Sequence, residues 1–378
     1  MTPRTVAVVA PYYPPKIGGV ERYAEQVARA VADDPALTPV VITTRPTGLR
    51  TLVGTQDGVT VVRLGAWARI SNTPVSPLWP LQVRYWLRRT GAEVVNAHAP
   101  VPGLADIAVL VAGRRETVLT YHAGSMVKGG PADRLTDRVL TWYERHVLPR
   151  VFARAGTLVA VSPVSLASGH PRAVEISPGV DVERFTPGDP PSTRARTLVY
   201  VGRMDRSSAW KGVEVLVRAF AEADLPDGAL LRLVGGGDAL PDHLALAERL
   251  GVADRVEATG ELGGDELVRA VRSAAVLVLP SLTEAESFGM SLIEAMACGT
   301  PVVGSAIGGI PHVVEDGVQG LLVPPGDAKA LAAACRTLLS DPRLADRMGA
   351  AGRDRAVDRY AWPALTARYR RIFRGDGG

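Results

Sequence analysis

The sequence predicts a two-domain α/β protein in which each domain is built around a parallel β-sheet. Short apolar strands alternate with helical patterns along most of the 378 residues, which is typical of doubly wound sheets. A stretch rich in Pro, Gly and Ser interrupts this alternation near the middle, and a new first strand follows it. The length is sufficient for two domains of ordinary size.

The predicted elements follow one another at the spacing of repeated strand–helix units. In the first half, the helix from Val20 to Asp33 follows the first strand, and strands are predicted at 5–10, 39–44, 59–64, 93–98, 117–121 and 157–161. In the second half, helices are predicted at Val213–Ala223 and Ala328–Ser340. The strands of that half are predicted at 197–202, 229–234, 255–259, 275–280, 301–305 and 321–323.

The domain boundary is predicted in the segment 178–196. Pro178-Gly179 opens this segment, and the run Pro187–Ser192 continues it with three prolines and a glycine. Such composition marks a linker. We therefore place one domain at 1–180 and a second at 181–359, with a cleft between them.

Composition narrows the class of protein. Hydrophobic residues make up 47% and charged residues 22%, which indicates a soluble globular chain. The net charge of +4 suits anionic small molecules, acidic membrane surfaces or nucleic acid. The arginines are dispersed and no nucleic-acid module is visible, so nucleic acid is disfavoured. No bilayer-spanning run, signal peptide or C-x-x-C is seen, which predicts a cytoplasmic protein without a zinc cluster.

Two glutamates flank the most informative segment of the chain. Glu286 is predicted in a loop after a buried strand, and Glu294 in the helix that follows. Sugar hydroxyls can donate to carboxylates, which are rarely buried without a partner. Either glutamate alone would be read as solvent-exposed, but the two together favour a polyol site. The helix start suits a phosphate, and its backbone N–H groups belong to Phe288, Gly289, Met290 and Ser291.

Two cations follow the first strand of the second half. Arg203 comes directly after Gly202, and Lys211 precedes a helix that begins near Gly212. The carboxyl ends of parallel strands are where open α/β sheets bind ligands. Two solvated surface cations would be the simpler interpretation, but the position favours binding of a diphosphate by the pair.

The first half offers weaker candidates. Gly18 and Gly19 precede the first helix, where they allow a ligand to approach the backbone, although on these residues alone a flexible turn is the favoured interpretation. His122 follows a predicted strand and could donate a hydrogen bond to a sugar hydroxyl or a phosphate, but a lone histidine is more often a structural polar residue. His98 has a similar setting and is equally ambiguous. No Asp-x-Asp pair occurs anywhere, so cations and helix dipoles would have to stabilise a leaving diphosphate.

The motifs, taken together and in order, resemble glycosyltransferase family 4, the retaining glycosyltransferases of GT-B fold. The resemblance covers nearly the whole chain. It rests on the segments Gly18–Glu21, Gly179–Asp181 with Phe185–Pro187, Val201–Arg203 with Lys211-Gly212, Glu286–Val303, Ile307–Pro311 and Asp316–Pro324. One departure stands out, because His312 follows Gly308-Gly309-Ile310-Pro311 where the family often has Glu.

The resemblance implies a role for each candidate. Glu294 would hold the ribose of the nucleotide and Glu286 the transferred sugar. Arg203 and Lys211, with the backbone at 288–291, would bind the diphosphate. The further implied positions are His122 beside the donor sugar, Gly18-Gly19 closing over phosphates and acceptor, Glu261 and Leu262 against the base, and a last helix near 360–378 that returns to the first domain.

The predicted function is therefore transfer of a sugar from a nucleotide diphosphate sugar, UDP-linked ahead of GDP-linked, to a small-molecule, lipid-linked or glycan acceptor. Retention of configuration and no cofactor or metal are expected. A nucleotide-sugar epimerase of the same architecture is the alternative, and a non-catalytic binding protein is a third. The aromatic and cationic segment Pro77–Arg89 fits either a peripheral contact with the inner membrane face or a helix covering the acceptor site. The second is favoured, since the segment is short.

Overall fold

The computed structural model describes residues 2–15, 18–45, 47–70, 73–127 and 134–376. The chain divides into two compact units. Unit 1 comprises Met1–Pro178 and Pro363–Gly378, and unit 2 comprises Gly179–Trp362. Each unit has its own hydrophobic core around its own sheet.

Unit 1 is built on an eight-stranded sheet of order β10-β9-β8-β7-β1-β2-β4-β3, parallel except for the edge strand β3. A separate antiparallel pair is formed by β5 and β6. The strands are β1 Arg4–Val9, β2 Leu37–Thr44, β3 Leu52–Gln56, β4 Val59–Leu64, β5 Ala68–Ile70, β6 Thr73–Val75, β7 Val94–Ala99, β8 Glu116–Tyr121, β9 Thr157–Ala160 and β10 Ala173–Glu175.

Helices cover both faces of this sheet, because the central strands are apolar on both sides. The helices are α1 Gly19–Ala32, α2 Trp79–Arg89, α3 Leu104–Val111, α4 Arg134–His146 and α5 Leu148–Arg154. Buried residues of α2, α3, α4 and α5 share one core with alternate residues of the strands. Helix α1 packs against β1, β2 and β4 and contributes no residue to that core.

Unit 2 has a fully parallel six-stranded sheet of order β13-β12-β11-β14-β15-β16. Numbered within the unit, this order is 3-2-1-4-5-6, that of a dinucleotide-binding doubly wound sheet. The strands are β11 Thr197–Val201, β12 Leu230–Val234, β13 Val256–Gly260, β14 Val276–Leu279, β15 Val302–Ser305 and β16 Gly320–Val323. The order reverses between β11 and β14, which makes their carboxyl ends the expected ligand position.

The helices of unit 2 are α6 Val213–Glu222, α7 Leu240–Arg249, α8 Gly264–Arg272, α9 Met290–Ala297, α10 Ile310–Val313, α11 Ala328–Ser340 and α12 Pro342–Tyr360. The last helix, α13 Trp362–Arg374, belongs to unit 1 from Pro363 onward. Tyr369 and Phe373 of α13 are fully buried, and the Arg4 side chain donates to the Phe373 carbonyl at 2.6 Å. Of the helices that the structure describes, none is both long and apolar enough to cross a bilayer.

The sequence predictions of strands and long helices are confirmed to within two residues at each end. The strands that sequence reasoning missed are short or lie at edges, namely β3, β5, β6 and β10. Strand β3 is almost fully exposed, so it has no buried face to give an apolar pattern. Asp57 and Gly58 both have positive φ in the turn before β4, and an Asp-Gly pair between strands is the signal that could have identified this hairpin.

Candidate functional site

Loops from the carboxyl ends of β11 and β14 are joined directly in unit 2. The backbone N–H of Leu282 donates to the Trp210 carbonyl at 2.7 Å. Gly212 starts α6 in the left-handed conformation, and a Cβ there would lie 2.0 Å from the Pro280 carbonyl oxygen. Only glycine can adopt this positive φ without strain and also leave room for the Pro280 carbonyl. The two loops are therefore held together at the point where the strand order reverses.

A third loop, between β15 and α10, holds the backbone of Glu286. The Gly309 N–H donates to the Glu286 carbonyl at 2.8 Å. A Cβ on Gly308 would lie 2.3 Å from that carbonyl oxygen, and a Cβ on Gly309 would lie 2.1 Å from the Ser287 carbonyl oxygen. The Gly-Gly pair thus serves close packing behind the site. This is a physical reason for a motif that the sequence supported by resemblance alone.

Lys211 and Glu286 form an ion pair where these loops meet. The Lys211 Nζ lies 2.8 Å from Oε2 of Glu286, and Ser281 donates its hydroxyl to the same oxygen at 3.0 Å. The ammonium also lies over the Trp210 ring, 4.4 Å from its centroid. Both charged side chains are largely buried, at 17% and 10% exposed. The pair is therefore held in position by the Ser281 hydroxyl and the Trp210 ring rather than by solvent.

Arg203 is not a member of this ion pair. Its guanidinium is exposed, and the nearest carboxylate is Asp205, at 3.8 Å. The backbone at Arg203 is fixed, because the Tyr200 hydroxyl donates to its carbonyl at 3.1 Å. The Lys211 side chain is thus largely buried and paired, whereas the Arg203 guanidinium, after the end of β11, is exposed to solvent.

Helix α9 begins beside the Glu286 loop. Gly289 is its N-cap in the left-handed conformation, and the first backbone N–H groups of any helix lack intrahelical partners. Phe288 is buried with its ring in T-shaped contact with Tyr360, so its ring packs in the protein interior. Met290 is half-buried, and Ser291 is buried within the first turn. Glu294 is buried in the second turn, at 5% exposed.

Leu262 is half-buried after the end of β13, and Glu261 beside it is exposed. Leu262 is also one of the residues around a pocket of about 670 Å³ near the Gly188–Ala195 linker. That pocket is lined by Arg194, Arg232 and Arg269 among others, and it contains neither the Lys211–Glu286 pair nor Arg203. Within the described residues, no group of three or more His, Cys, Asp or Glu side chains could hold a metal ion.

In unit 1, Gly18 and Gly19 lie at the start of α1. Gly18 is the N-cap with extended backbone. A Cβ at Gly18 would lie 2.3 Å from Oε2 of the buried Glu21 side chain. A side chain at position 18 would therefore collide with the Glu21 carboxylate, so packing inside unit 1 already favours glycine there.

His122 follows β8 and is buried as one end of a polar chain. Its Nε2 lies 2.9 Å from Nδ1 of His98, and His98 Nε2 lies 2.8 Å from Oδ1 of Asn96. The Asn96 amide nitrogen donates to the Val118 carbonyl at 3.3 Å. A carbonyl can only accept, so the Asn96 amide must turn its oxygen toward His98. His98 then donates from Nε2 and accepts at Nδ1, and His122 donates from Nε2.

The chain continues from Asn96 to a helix at the other end of the sequence. Asn96 donates to the Thr120 hydroxyl at 3.1 Å, Thr120 lies 2.9 Å from the Tyr369 hydroxyl, and Tyr369 lies 3.0 Å from Tyr23. Tyr23 donates to the Ile176 carbonyl at 2.8 Å. Each hydroxyl has only one proton to donate. Every hydrogen bond of the chain is therefore donated in the direction that leads from His122 to the Ile176 carbonyl. The neutral His122 ring consequently carries its proton on Nε2, toward His98, and a lone pair on Nδ1.

Burial keeps both histidines neutral. It lowers the pKa of His122 to about 3 and lowers the pKa of His98 well below its ordinary value, with the neighbouring His122 as a further cause for His98. Sequence reasoning did not find Ser281, Asn96, Thr120, Tyr23 or Tyr369, since each is an ordinary polar or aromatic residue in its own segment. His312 is exposed, and its carbonyl accepts from Arg355 at 3.1 Å. Nothing in the structure explains the histidine there.

The comparisons with known proteins follow the same division of the chain. Residues 17–184 match the model described as "Glycosyltransferase Family 4", and residues 195–341 match "Glycosyl transferases group 1". A GDP-mannose-dependent alpha-(1-6)-phosphatidylinositol monomannoside mannosyltransferase of Mycolicibacterium smegmatis is 32% identical over 96% of this chain and 89% of its own. The chain belongs to glycosyltransferase family 4.

A further relative and a solved structure support this assignment. D-inositol 3-phosphate glycosyltransferase 1 of Catenulispora acidiphila is 31% identical over 96% of this chain and 92% of its own. The solved sucrose-phosphate synthase of Thermosynechococcus elongatus superimposes with a TM-score of 0.80 at 25% identity, over 98% of both chains. The chain is therefore an enzyme of the glycosyltransferase class with the GT-B fold. The epimerase alternative finds no support among these relatives.

The Lys211–Glu286 pair can be tested by a double-mutant cycle. Lys211→Met leaves a buried carboxylate without its cation, and we expect it to lower the free energy of unfolding by roughly 3 kcal/mol. Adding Glu286→Gln to Lys211→Met removes the remaining charge and should restore part of that loss. Urea denaturation of the single and double variants measures both effects. Additive losses in the double variant would show that the two side chains are not coupled.

The histidine chain predicts how stability depends on pH. The folded state keeps His98 and His122 neutral, whereas the unfolded chain protonates them below pH ~6.5. Each should therefore reduce the free energy of unfolding by up to about 1.4 kcal/mol per pH unit as pH falls below that value, toward about 3 for His122. His122→Gln keeps a donor toward His98 but cannot titrate, so urea denaturation at several pH values should give it a shallower loss than wild type.

Asp106 provides a control of opposite sign. Burial raises the pKa of the Asp106 carboxyl to about 6, so the folded state takes up this proton before the unfolded state as pH falls. Its contribution therefore opposes the loss caused by the histidines between pH 6 and 4. As the pH falls from 6 to 4, the free energy of unfolding should therefore decrease more steeply in Asp106→Asn than in wild type. Equal slopes in wild type, His122→Gln and Asp106→Asn would contradict the assignment of neutral buried histidines.

Proposed function

We propose that this glycosyltransferase moves a sugar from a nucleotide diphosphate sugar to a hydroxyl acceptor, with retention of configuration and without an essential metal ion. The observation that supports this most strongly is the Lys211–Glu286 pair at the switch point of the unit 2 sheet, beside the start of α9. A switch point binds nucleotides in doubly wound sheets, and a fixed ammonium beside a helix start suits a diphosphate.

In this proposal the donor is divided among the groups of unit 2. Lys211 and the first N–H groups of α9 bind the diphosphate, Arg203 adds a second cation from the end of β11, and Glu294 accepts hydrogen bonds from the ribose. Glu286 accepts from hydroxyls of the transferred sugar. Leu262 and the backbone beside it contact the base. These assignments follow the family resemblance.

Departure of the diphosphate is assisted by charge rather than by a metal. The bond from the anomeric carbon to the diphosphate oxygen breaks, and the negative charge that develops on that oxygen is stabilised by Lys211. The acceptor hydroxyl attacks on the face that the diphosphate leaves, and its proton passes to the departing phosphate. Glu286 is a poor covalent nucleophile, since its Oε2 already accepts from Lys211 and Ser281. In unit 1, His122 Nδ1 accepts a hydrogen bond from a sugar hydroxyl.

The proposed donor and acceptor classes rest on the sequence and on the names of two relatives. The sequence favours a UDP-sugar ahead of a GDP-sugar, whereas the relative from Mycolicibacterium smegmatis is named for GDP-mannose. The two relatives are named for a phosphatidylinositol monomannoside and for inositol 3-phosphate. A panel should therefore cross UDP- and GDP-sugars with inositol phosphates and phosphatidylinositol glycolipids.

The test is an activity screen of purified protein read by mass spectrometry, with product configuration assigned by NMR. We expect one donor to give a glycosylated acceptor with the donor's anomeric configuration, in the presence of a chelator. Lys211→Met should lower kcat by roughly a hundredfold to a thousandfold. Glu294→Gln should mainly raise the donor KM, by roughly tenfold.

A matched control separates these effects from general damage. Lys329 is an exposed lysine on α11, and Lys329→Met should leave kcat and KM unchanged. Circular dichroism at the assay temperature verifies that each variant is folded. Inversion of configuration, loss of activity with the chelator, or an epimerised donor without any acceptor would each overturn part of the proposal.

A further inference from the structure

The outer face of the helical layer of unit 1 carries large apolar side chains that are strongly exposed to solvent. Helices α2, α3, α5 and α4 pack side by side in that order on one face of the sheet. Leu81 on α2 is 69% exposed, and Leu135 on α4 is 76% exposed. In unit 2, where every residue is described, no large apolar side chain is more exposed than Val318, at 40%.

Helix α4 has a continuous apolar stripe that faces away from the core. Leu135, Val139 and Trp142 are all more than half exposed and recur at the spacing of one helix face. Arg138 and Arg145 are exposed along the edge of this stripe. Tyr143, one turn after Val139, is buried and packs on the layer. A surface helix ordinarily turns its apolar stripe inward, so the orientation of this stripe requires an explanation.

Helix α2 repeats the pattern. Trp79 is buried, with its indole N–H donated to the Gly65 carbonyl at 3.0 Å, so the first aromatic residue of the predicted Pro77–Arg89 segment belongs to the core. The outward face carries the exposed Leu81 and Tyr85. The exposed arginines around them are Arg84, Arg88 and Arg89.

The charge of this face has one sign. Helix α2 contains no acidic residue, and the two acidic residues of α4, Asp137 and Glu144, are only half-exposed. Glu144 accepts from the Ser125 hydroxyl and from the Met126 N–H on the inner side. Among the described side chains of α2 and α4, every fully exposed charge is therefore an arginine.

We propose that the outer face of α2 and α4 docks on an anionic phospholipid bilayer. Leucine, valine, tyrosine and tryptophan side chains enter the boundary between headgroups and acyl chains, and arginines beside them bind headgroup phosphates. A nucleic acid would match the arginines but leave the aliphatic stripe in water. A second copy of this chain would bring two positive faces together. The bilayer satisfies both the apolar and the cationic groups of this face.

Vesicle flotation tests this without any sugar transfer, so its outcome is separate from that of the proposed function. We expect the wild-type chain to float with phosphatidylcholine–phosphatidylglycerol vesicles at low salt, and not with phosphatidylcholine alone. Arg84→Gln with Arg138→Gln should weaken partitioning roughly fivefold per arginine. Leu81→Ser with Trp142→Ser should abolish the binding that persists in high salt.

The matched control lies on α12 of unit 2, where Val357 and Arg359 are exposed. Val357→Ser with Arg359→Gln should float like wild type. Unchanged circular dichroism of all variants verifies folding, which is expected because the substituted side chains face solvent. The proposal is overturned if wild type stays unbound to anionic vesicles, or if the α2 and α4 variants float like the control. A dimer in sedimentation velocity that the same variants disperse would also overturn it.

Discussion

Burying a polar side chain costs free energy unless it is paired, and six buried side chains of unit 1 are paired by one hydrogen-bond chain that runs in a single direction. The chain begins at His122 and ends at the Ile176 carbonyl, and each member uses its proton toward the next. Because Tyr369 completes it from α13, the end of the sequence is required to satisfy polar groups on β7 and β8. The arrangement also fixes which nitrogen of His122 accepts a hydrogen bond.

The same requirement is met differently in unit 2. There the buried carboxylate of Glu286 is paired with Lys211 and Ser281, and its backbone is held by Gly309. The partners come from loops after three strands, β11, β14 and β15, and glycines allow those loops to touch. A ligand that approaches this point meets a fixed ammonium, a fixed carboxylate and a helix start, rather than mobile side chains. Such preorganisation is what stabilisation of a leaving group requires.

Much of this architecture could be predicted from the sequence, because strands buried on both faces and long amphipathic helices have strong patterns. The positions of Lys211 and Glu286 at strand ends followed from the same reasoning. Their pairing did not, since it depends on the close approach of Gly212 to Pro280. The hydrogen-bond chain that follows His122 could not be predicted from the sequence either. Its members Asn96, Thr120 and Tyr369 come from three separate segments and meet only in the folded protein. Strand β3 was missed for the opposite reason, having no buried face at all.

The direction of the histidine chain is the claim on which the role of His122 depends. Long-range ¹H–¹⁵N correlation NMR on protein labelled at its six histidines measures the protonation of each ring nitrogen, and His122→Gln identifies the His122 signals. We expect His98 and His122 to be neutral at pH 7, each with a proton on Nε2 and a bare Nδ1. A proton on Nδ1 of either ring would contradict this account.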